Sequence, residues 1–202
     1  MNPHIKKSIP VRKLVVTAML AAVSSVLMLF LSFSVPFVPF FLEWDPSELP
    51  ALLASFSLGP GYGVLVCLVK NLVNLFFTRT LGIGELSNFI LGAVFVFTAG
   101  MIYKRYHSFK GAIAGSLIGN GAMALFSLIS NYFLIYPLFS IAGVMSKEAI
   151  LGTYQAIYPG TDSLLEALAI FNIPFTFVKG LFSVIITFLI YKKISPLLKG
   201  KK

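Results

Sequence analysis

The chain has 202 residues and a formal net charge of +9; 57% of its residues are hydrophobic and only 11% are charged. A soluble domain carries roughly 25% charged residues, so this composition, with a mean hydropathy of +0.90, excludes both a soluble globular protein and a disordered one. The single cysteine excludes a disulfide scaffold and argues against a cysteine-based metal site. We therefore expect one membrane-embedded domain over residues 1–202, whose basic residues report membrane topology and not nucleic-acid binding.

The first predicted membrane span covers residues 11–33 and follows a basic start. A cleaved signal peptide is the alternative interpretation of such a start. Residues 14–42 carry no charge, however, and that apolar stretch is about twice as long as the core of a signal peptide. We therefore predict a helix that is retained in the protein.

Residues 49–77 form an apolar stretch with two interpretations. As a single helix it would be about 43 Å long, too long for a hydrocarbon core of about 30 Å without strong tilt. The alternative is two helices separated by Leu58-Gly-Pro-Gly-Tyr-Gly63. The first of these has a good start, because Asp45 is a favoured N-cap residue, Pro46 suits the first helical position and Glu48 complements the helix dipole.

Three further spans are predicted, over residues 86–103, 111–136 and 163–191. The last of them begins with a capping box formed by Ser163 and Glu166. The segment between the last two spans is long for a loop, and we expect a short interfacial helix in it at residues 145–157.

The basic residues decide the number of spans, because loops rich in lysine and arginine stay on the cytoplasmic side. They form three clusters: Lys6, Lys7, Arg12 and Lys13; Lys104, Arg105 and Lys110; Lys192, Lys193, Lys199, Lys201 and Lys202. One helix over residues 49–77 would give five spans and place the second and third clusters outside. Two helices give six spans with every cluster inside. We therefore predict an all-α integral membrane protein with six transmembrane helices and cytoplasmic N and C termini.

Polar side chains inside the predicted bundle are the candidate functional residues, because they are costly there. Those in its outer half suggest a wet pocket that opens outward: Glu85, Asn88, Asn131 and Asn172. Lys179 lies about 10 Å deeper than Asn172 along the last helix, with Thr176 between them on the same face. The alternative is that the amides join helices, at about 0.6 kcal/mol per hydrogen bond, with Asn120 as the first candidate. Lys70, on the third span, has the alternative of snorkelling to the interface.

Two further patterns concern the edges of the bundle. Aromatic residues near its mouth either flank a flat ring or form an ordinary interfacial belt: Phe40, Phe41, Trp44, Tyr132, Tyr136, Tyr154 and Tyr158. On the first helix, Ala18 and Ala22 are four residues apart, a spacing that lets another helix approach closely. Packing within this bundle and docking of a separate partner both fit that spacing.

The sequence contains none of the common catalytic motifs. It has no H-E-x-x-H, no G-x-S-x-G and no G-x-x-x-x-G-K-[ST] phosphate loop, and both histidines fall on the predicted cytoplasmic side. No acidic residue falls in the middle of a predicted span, which argues against a proton-coupled carrier. We expect a binding and translocating unit without catalytic residues, metal or cofactor, which takes its energy from a partner. An intramembrane enzyme, which would turn over a substrate, and a structural subunit, which would bind no small molecule, are the alternatives.

Five runs of residues form one recognisable pattern: Leu42-Glu-Trp-Asp-Pro-Ser-Glu-Leu-Pro50, Leu58-Gly-Pro-Gly-Tyr-Gly63, Val69-Lys-Asn71, Gly84-Glu-Leu-Ser-Asn-Phe89 and Pro174-Phe-Thr-Phe-Val-Lys-Gly180. In this order they resemble the riboflavin-specific S component of energy-coupling factor (ECF) transporters. The resemblance covers nearly the whole chain, apart from the outer segment around residues 140–160. It implies a protein of the bacterial cell membrane, with six helices and both ends cytoplasmic.

The resemblance also implies a ligand and partners. The vitamin would bind at the outer face, under the loop of residues 34–44, and a transmembrane coupling protein and two cytoplasmic ATPases would drive its release inward. Ala18 and Ala22 would contact the coupling protein. By similarity the binding residues are Asn131, Lys179, Asn88, Glu85, Thr176, Asn172, Leu42 and Trp44. Family members often have Asn where this chain has Thr176, which changes that contact.

The residues leave more than one ligand possible at this point. Amide side chains suit the alternating donors and acceptors of an isoalloxazine edge. A lysine in the pocket also suits a phosphate, so FMN is an alternative to riboflavin, as is another small vitamin.

Overall fold

The computed structural model describes residues 11–199, and the side chains of residues 11–190 within them. The predicted cytoplasmic termini, with Lys6, Lys7, Lys201 and Lys202, lie outside the described residues. The elements are, in chain order, α1 (Val11–Phe30), β1 (Phe33–Ser34), β2 (Glu43–Trp44), α2 (Glu48–Ser57), α3 (Pro60–Asn74), a 3₁₀ turn (Leu75–Phe77), α4 (Ile83–Arg105), α5 (Phe109–Ser130), a first π turn (Asn131–Ile135), α6 (Tyr136–Ile141), α7 (Lys147–Gln155), α8 (Leu164–Ala167), a second π turn (Leu168–Asn172) and α9 (Ile173–Lys199).

Five helical stretches among the described residues are long and apolar enough to cross a membrane: Val11–Phe30, Pro60–Phe77, Ile83–Arg105, Phe109–Ile141 and Leu164–Ile190. The predicted break within residues 49–77 is present at Gly59, whose φ of 124° lies in the region that favours glycine. The helix before the break, α2, has ten residues, which is about 15 Å or half of the hydrocarbon core. The helical membrane architecture is thus confirmed, whereas the sixth span stays a prediction.

Helix α2 lies at the centre of the bundle and contacts α1, α3, α4 and α9. Its side chains are buried on every face; Ala51, Leu52 and Ala54 are fully inaccessible. A helix that is apolar all round is stable when it is surrounded on all sides. The longer helices around it expose large apolar side chains on their outer faces, as helices in contact with lipid do.

Close backbone crossings hold the second half of the bundle together. At Gly119 of α5, a Cβ atom would lie 2.7 Å from the carbonyl oxygen of Phe95 on α4, so only glycine permits this approach. Asn120, the next residue, donates from its amide nitrogen to the carbonyl oxygen of Phe177 on α9 at 2.9 Å. Asn120 therefore has the helix-joining role that the sequence suggested for it.

The outer segments differ from the predictions in detail. The all-α prediction omits β1 and β2, a two-residue antiparallel pair in which Phe33 lies opposite Trp44. Helix α7 falls within the predicted residues 145–157. Half of the capping box is present, because Ser163 Oγ accepts the Glu166 N–H at 3.2 Å, while the Glu166 carboxylate accepts from Asp162 N.

Candidate ligand-binding site

The loop between β1 and β2, residues 35–42, is anchored to the aromatic residues of the outer segment. The ring of Phe41 packs edge-on against three others, with centroid distances of 5.9, 6.3 and 6.0 Å: those of Tyr136, Phe139 and Tyr154. Leu42, which follows, is half-buried in a turn closed by its N–H and the carbonyl oxygen of Pro39 at 2.9 Å. The ring of Phe41 therefore anchors the end of the loop to the outer segment.

Lys179 binds the chain where this loop ends. Its ammonium donates to Asp45 Oδ2 at 2.7 Å and to the carbonyl oxygen of Glu43 at 3.2 Å. Trp44, between these two acceptors, packs edge-on against Phe182 of α9 with centroids 4.6 Å apart. Helix α9 is therefore tied to the start of α2 by an ion pair and an aromatic contact side by side.

Asp45 has two roles. Its Oδ1 accepts the Ser47 N–H at 2.9 Å in the turn before α2, although the N-cap position of α2 is Ser47 and not Asp45 as predicted. Its Oδ2 pairs with Lys179, and the Asp45 side chain is only 2% exposed. A lysine inside a membrane bundle needs a partner or a wet cavity, and for Lys179 this partner is Asp45.

A second buried ion pair lies next to the first. Lys70 of α3 donates to Glu48 Oε1 at 3.0 Å and to Ser47 Oγ at 2.5 Å, and its side chain is 0% exposed. The alternative that Lys70 snorkels to the interface is wrong, because its ammonium faces α2. Asp45 and Glu48, which lie just before a predicted span and not in the middle of one, are also buried, at 2% and 3% exposed. We call Asp45, Glu48, Lys70 and Lys179 the charge network.

Asn172 belongs to a closed ring of three hydrogen bonds. Tyr154 Oη donates to Asn172 Oδ1 at 2.6 Å, and Asn172 Nδ2 donates to Tyr136 Oη at 3.1 Å. Since the Tyr154 proton is used, Tyr136 donates the third bond, of 2.6 Å, to Tyr154. Burial raises the pKa of Tyr154 far above its ordinary value, so the phenol remains a donor. The two tyrosines are therefore part of the core and not of an interfacial belt.

The remaining predicted residues each join two segments. The Glu85 carboxylate accepts three side-chain hydrogen bonds, at 3.1, 2.8 and 3.3 Å, from Asn74, Thr78 and Thr80. Asn88 accepts from Asn71 of α3, and Asn131 accepts from Ser87 of α4, both at 3.4 Å. Glu85 thus closes the turn between α3 and α4, whereas the bond to Asn131 uses only its carbonyl oxygen.

The structure brings some of the predicted site residues close together. Trp44 and Lys179 meet at the end of the loop, and Thr176 is buried about one turn earlier on α9. Asn131 and Asn172 lie in the two π turns, a distortion that is frequent at functional sites. Glu85 bonds to the end of α3 and to the turn that follows it, and Asn88 bonds to α3.

Sequence reasoning missed the π turns and the second role of Asp45. A signal for Asp45 was present in the sequence. Lys70 and Lys179 fall well inside predicted spans, and three acidic residues, Glu43, Asp45 and Glu48, precede the first half of the hairpin, so opposite charges were present that could pair.

Ala18 and Ala22 line a groove between α1 and α3. The groove has a volume of about 490 Å³, and its walls are almost entirely apolar. On the α3 side it is lined by Leu65, Val69 and Val73. The small residues therefore face an open surface of the bundle and not another helix of the described chain.

A helical bundle with five apolar spans, buried polar groups and a small-residue groove on its side defines a multi-pass membrane protein. The sequence model of the family described as "ECF transporter, substrate-specific component" matches residues 12–191. The chain therefore belongs to the substrate-specific (S) components of ECF transporters, which are multi-pass proteins of the bacterial plasma membrane.

Individual relatives agree with this family. The chain is 35% identical over 188 residues to the riboflavin transporter RibU of Staphylococcus aureus (strain TCH60), covering 93% of both chains. It is 31% identical over 196 residues to the riboflavin transporter FmnP of Bacillus subtilis (strain 168), covering 95% of this chain and 96% of the other. A solved structure of the S component of a bacterial ECF transporter superimposes with a TM-score of 0.73 at 34% identity, covering 93% of this chain and 98% of the other.

Proposed function

We propose that this chain captures riboflavin at the outer face of the membrane and delivers it inward as the substrate-specific subunit of an ATP-driven ECF transporter. The observation that carries the proposal is the similarity, at above 30% identity over at least 93% of each chain, to two riboflavin transporters. In this proposal residues 1–202 form a single unit with six spans and both termini in the cytoplasm. A transmembrane coupling protein and two cytoplasmic ATPases supply the energy, and the chain itself catalyses no reaction.

The proposed riboflavin site lies between the loop of residues 35–42 and the ends of α5 and α9. Its residues are Asn131, Lys179, Asn88, Glu85, Thr176, Asn172, Leu42 and Trp44. The geometry supports Asn131 and Lys179 most directly. The hydrogen bond of Asn131 leaves both N–H donors of its amide for a ligand acceptor, and an ammonium has three donors, of which Lys179 uses two. An amide and an ammonium are the kinds of group that a flavin edge and ribityl hydroxyls require.

The proposed contact with the coupling protein is the groove beside Ala18 and Ala22. Its volume and apolar lining suit a helix from another membrane subunit. Small residues four positions apart allow two helix backbones to approach within van der Waals contact. The groove is on α1 and α3, so a partner can bind there without covering Lys179.

The test is the visible absorption spectrum of the purified protein in detergent, followed by titration of the ligand-free protein with riboflavin. We expect a flavin band that persists through purification and quenching of riboflavin fluorescence on addition of protein. Chromatography of the released ligand separates riboflavin from FMN. The variant Lys147→Ala, at an exposed lysine of α7 outside the proposed site, should bind riboflavin like the wild type. A colourless protein that does not quench riboflavin fluorescence would contradict the proposal.

A further inference from the structure

The charge of Lys179 is neutralised before any ligand arrives. Its Nζ lies 2.7 Å from Asp45 Oδ2, and the two side chains are 12% and 2% exposed. At that distance and burial the ion pair is screened little by salt or water. The carbonyl oxygen of Glu43 accepts a second ammonium N–H. Lys179 therefore offers a ligand one remaining N–H donor, without an uncompensated positive charge.

The neighbouring lysine, Lys70, does not supply a free positive charge either. Lys70 is paired with Glu48 at 3.0 Å, with side chains 0% and 4% exposed. The charge network thus contains two cations and two anions and is neutral as a whole. Arg79 and Lys147, the described cations of the outer loop segments, are exposed to the surroundings.

This neutrality matters for the choice between two flavins. Riboflavin is uncharged, whereas a phosphate monoester carries a charge of about −1.5 to −2 at pH 7. Moving such a group from water to a buried site is costly unless a cation is available to pair with it. Lys179 is not available, because Asp45 holds its ammonium.

We propose that Asp45 is a specificity-determining residue: as the counter-ion of Lys179, it leaves the site a hydrogen-bond donor without free charge and so selects a neutral flavin over a flavin phosphate. This inference rests on the proposed function, since it assumes that a flavin binds beside Lys179. It assigns to Asp45 a role beyond its hydrogen bond to Ser47 in the turn before α2. It also explains why a lysine in the pocket does not make the site a phosphate site.

The experiment measures the dissociation constants of riboflavin and FMN for three proteins and compares the ratio Kd(FMN)/Kd(riboflavin). The test variant is Asp45→Asn, which keeps the shape of the side chain and an oxygen acceptor for the Ser47 N–H. The matched control is Glu43→Gln. It removes the same charge two residues away, but Glu43 is exposed, its hydrogen bond to Lys179 comes from its backbone oxygen, and its carboxylate accepts from Ser32 Oγ at 2.6 Å.

We expect the wild type to bind riboflavin at least tenfold more tightly than FMN. In Asp45→Asn the uncompensated Lys179 should lower the ratio by tenfold or more. Glu43→Gln should keep the ratio within twofold of the wild type. Equal affinity of the wild type for both flavins, or a ratio in Asp45→Asn no different from that in Glu43→Gln, would overturn the proposal.

A second variant tests the same idea with the opposite sign. Lys179→Gln leaves Asp45 as an uncompensated anion, so the ratio should rise by tenfold or more even though both affinities fall. If Asp45→Asn binds neither flavin, the result with Lys179→Gln decides whether the proposal holds. A ratio in Lys179→Gln that equals the wild-type ratio would overturn the role of Asp45. Failure of the wild type to bind either flavin would instead contradict the proposed function.

Discussion

Replacing Lys70 by methionine should destabilise the protein more than any exposed lysine replacement. The ammonium of Lys70 makes hydrogen bonds to Glu48 Oε1 at 3.0 Å and to Ser47 Oγ at 2.5 Å. Without it, a carboxylate that is only 4% exposed has no counter-ion, and its Oε2 already has no hydrogen-bond partner among the described residues. Removing one member of a buried ion pair costs about 3–5 kcal/mol. For a chain of this size we expect the melting temperature to fall by about 6–20 °C.

The single cysteine provides the assay. Cys67 is free and fully buried in α3, so a thiol-reactive fluorescent maleimide labels it only when the bundle opens. The melting temperature can be read from labelling on heating in detergent and checked against the loss of helical circular dichroism. Lys147→Met, at an exposed lysine, is the control and should melt within 1 or 2 °C of the wild type, since surface replacements change stability by about 0.5 kcal/mol or less.

The double variant Lys70→Met/Glu48→Gln separates the loss of the pair from the loss of the lysine. Once both charges are gone, no uncompensated ion remains in the core, and a neutral replacement of a buried pair is often tolerated. We therefore expect the double variant to recover more than half of the lost melting temperature. Melting of Lys70→Met within 2 °C of the control, or a double variant less stable than the single one, would refute the assignment of this pair.

Three further outcomes follow from the packing. Gly119→Ala should lower stability by about 1–3 kcal/mol, because its methyl group overpacks the crossing with α4; Gly121→Ala, which meets no atom within 4 Å, should be neutral or slightly stabilising, and equal melting of the two would contradict this. Leucine at Ala18 and Ala22 should abolish uptake by the full complex yet spare riboflavin binding, and loss of both together would indicate misfolding. Phe41→Ala removes three ring contacts of the loop and should speed riboflavin release at least tenfold in stopped-flow fluorescence; an unchanged rate would show that the loop does not retain the ligand.

The membrane helices illustrate what can be predicted from local sequence. Hydropathy over about 20 residues predicted helical spans that the structure contains, and the glycines after Leu58 predicted the break at Gly59. The length of α2 was not predictable in the same way. An apolar run of the same composition is compatible with a complete crossing or with a half-length buried helix, and neighbouring helices decide which is formed.

The candidate site shows the same limit for side chains. Hydropathy and helical periodicity identified Lys179 and Asn172 as polar groups on the last helix, but not Asp45 and Tyr154 as their partners. Asp45 precedes Lys179 by 134 residues, and the pairing depends on α9 packing against the start of α2. The π turns that contain Asn131 and Asn172 were likewise not predictable, since no local residue pattern distinguishes a single π turn from a regular α-helical turn.

The amino-acid sequence by itself determined that this is a helical membrane protein, where its apolar helices lie and which polar residues its bundle must accommodate, because these properties depend on composition and on neighbours within a few turns. Its pattern of motifs also indicated the family. Only the tertiary structure decided that two lysines are neutralised by two acidic residues at the start of α2 and that two tyrosines bind Asn172. The reason is that the cost of a buried charge or amide is met by whichever group the packed helices bring within hydrogen-bond distance, and that distance is a property of the bundle as a whole.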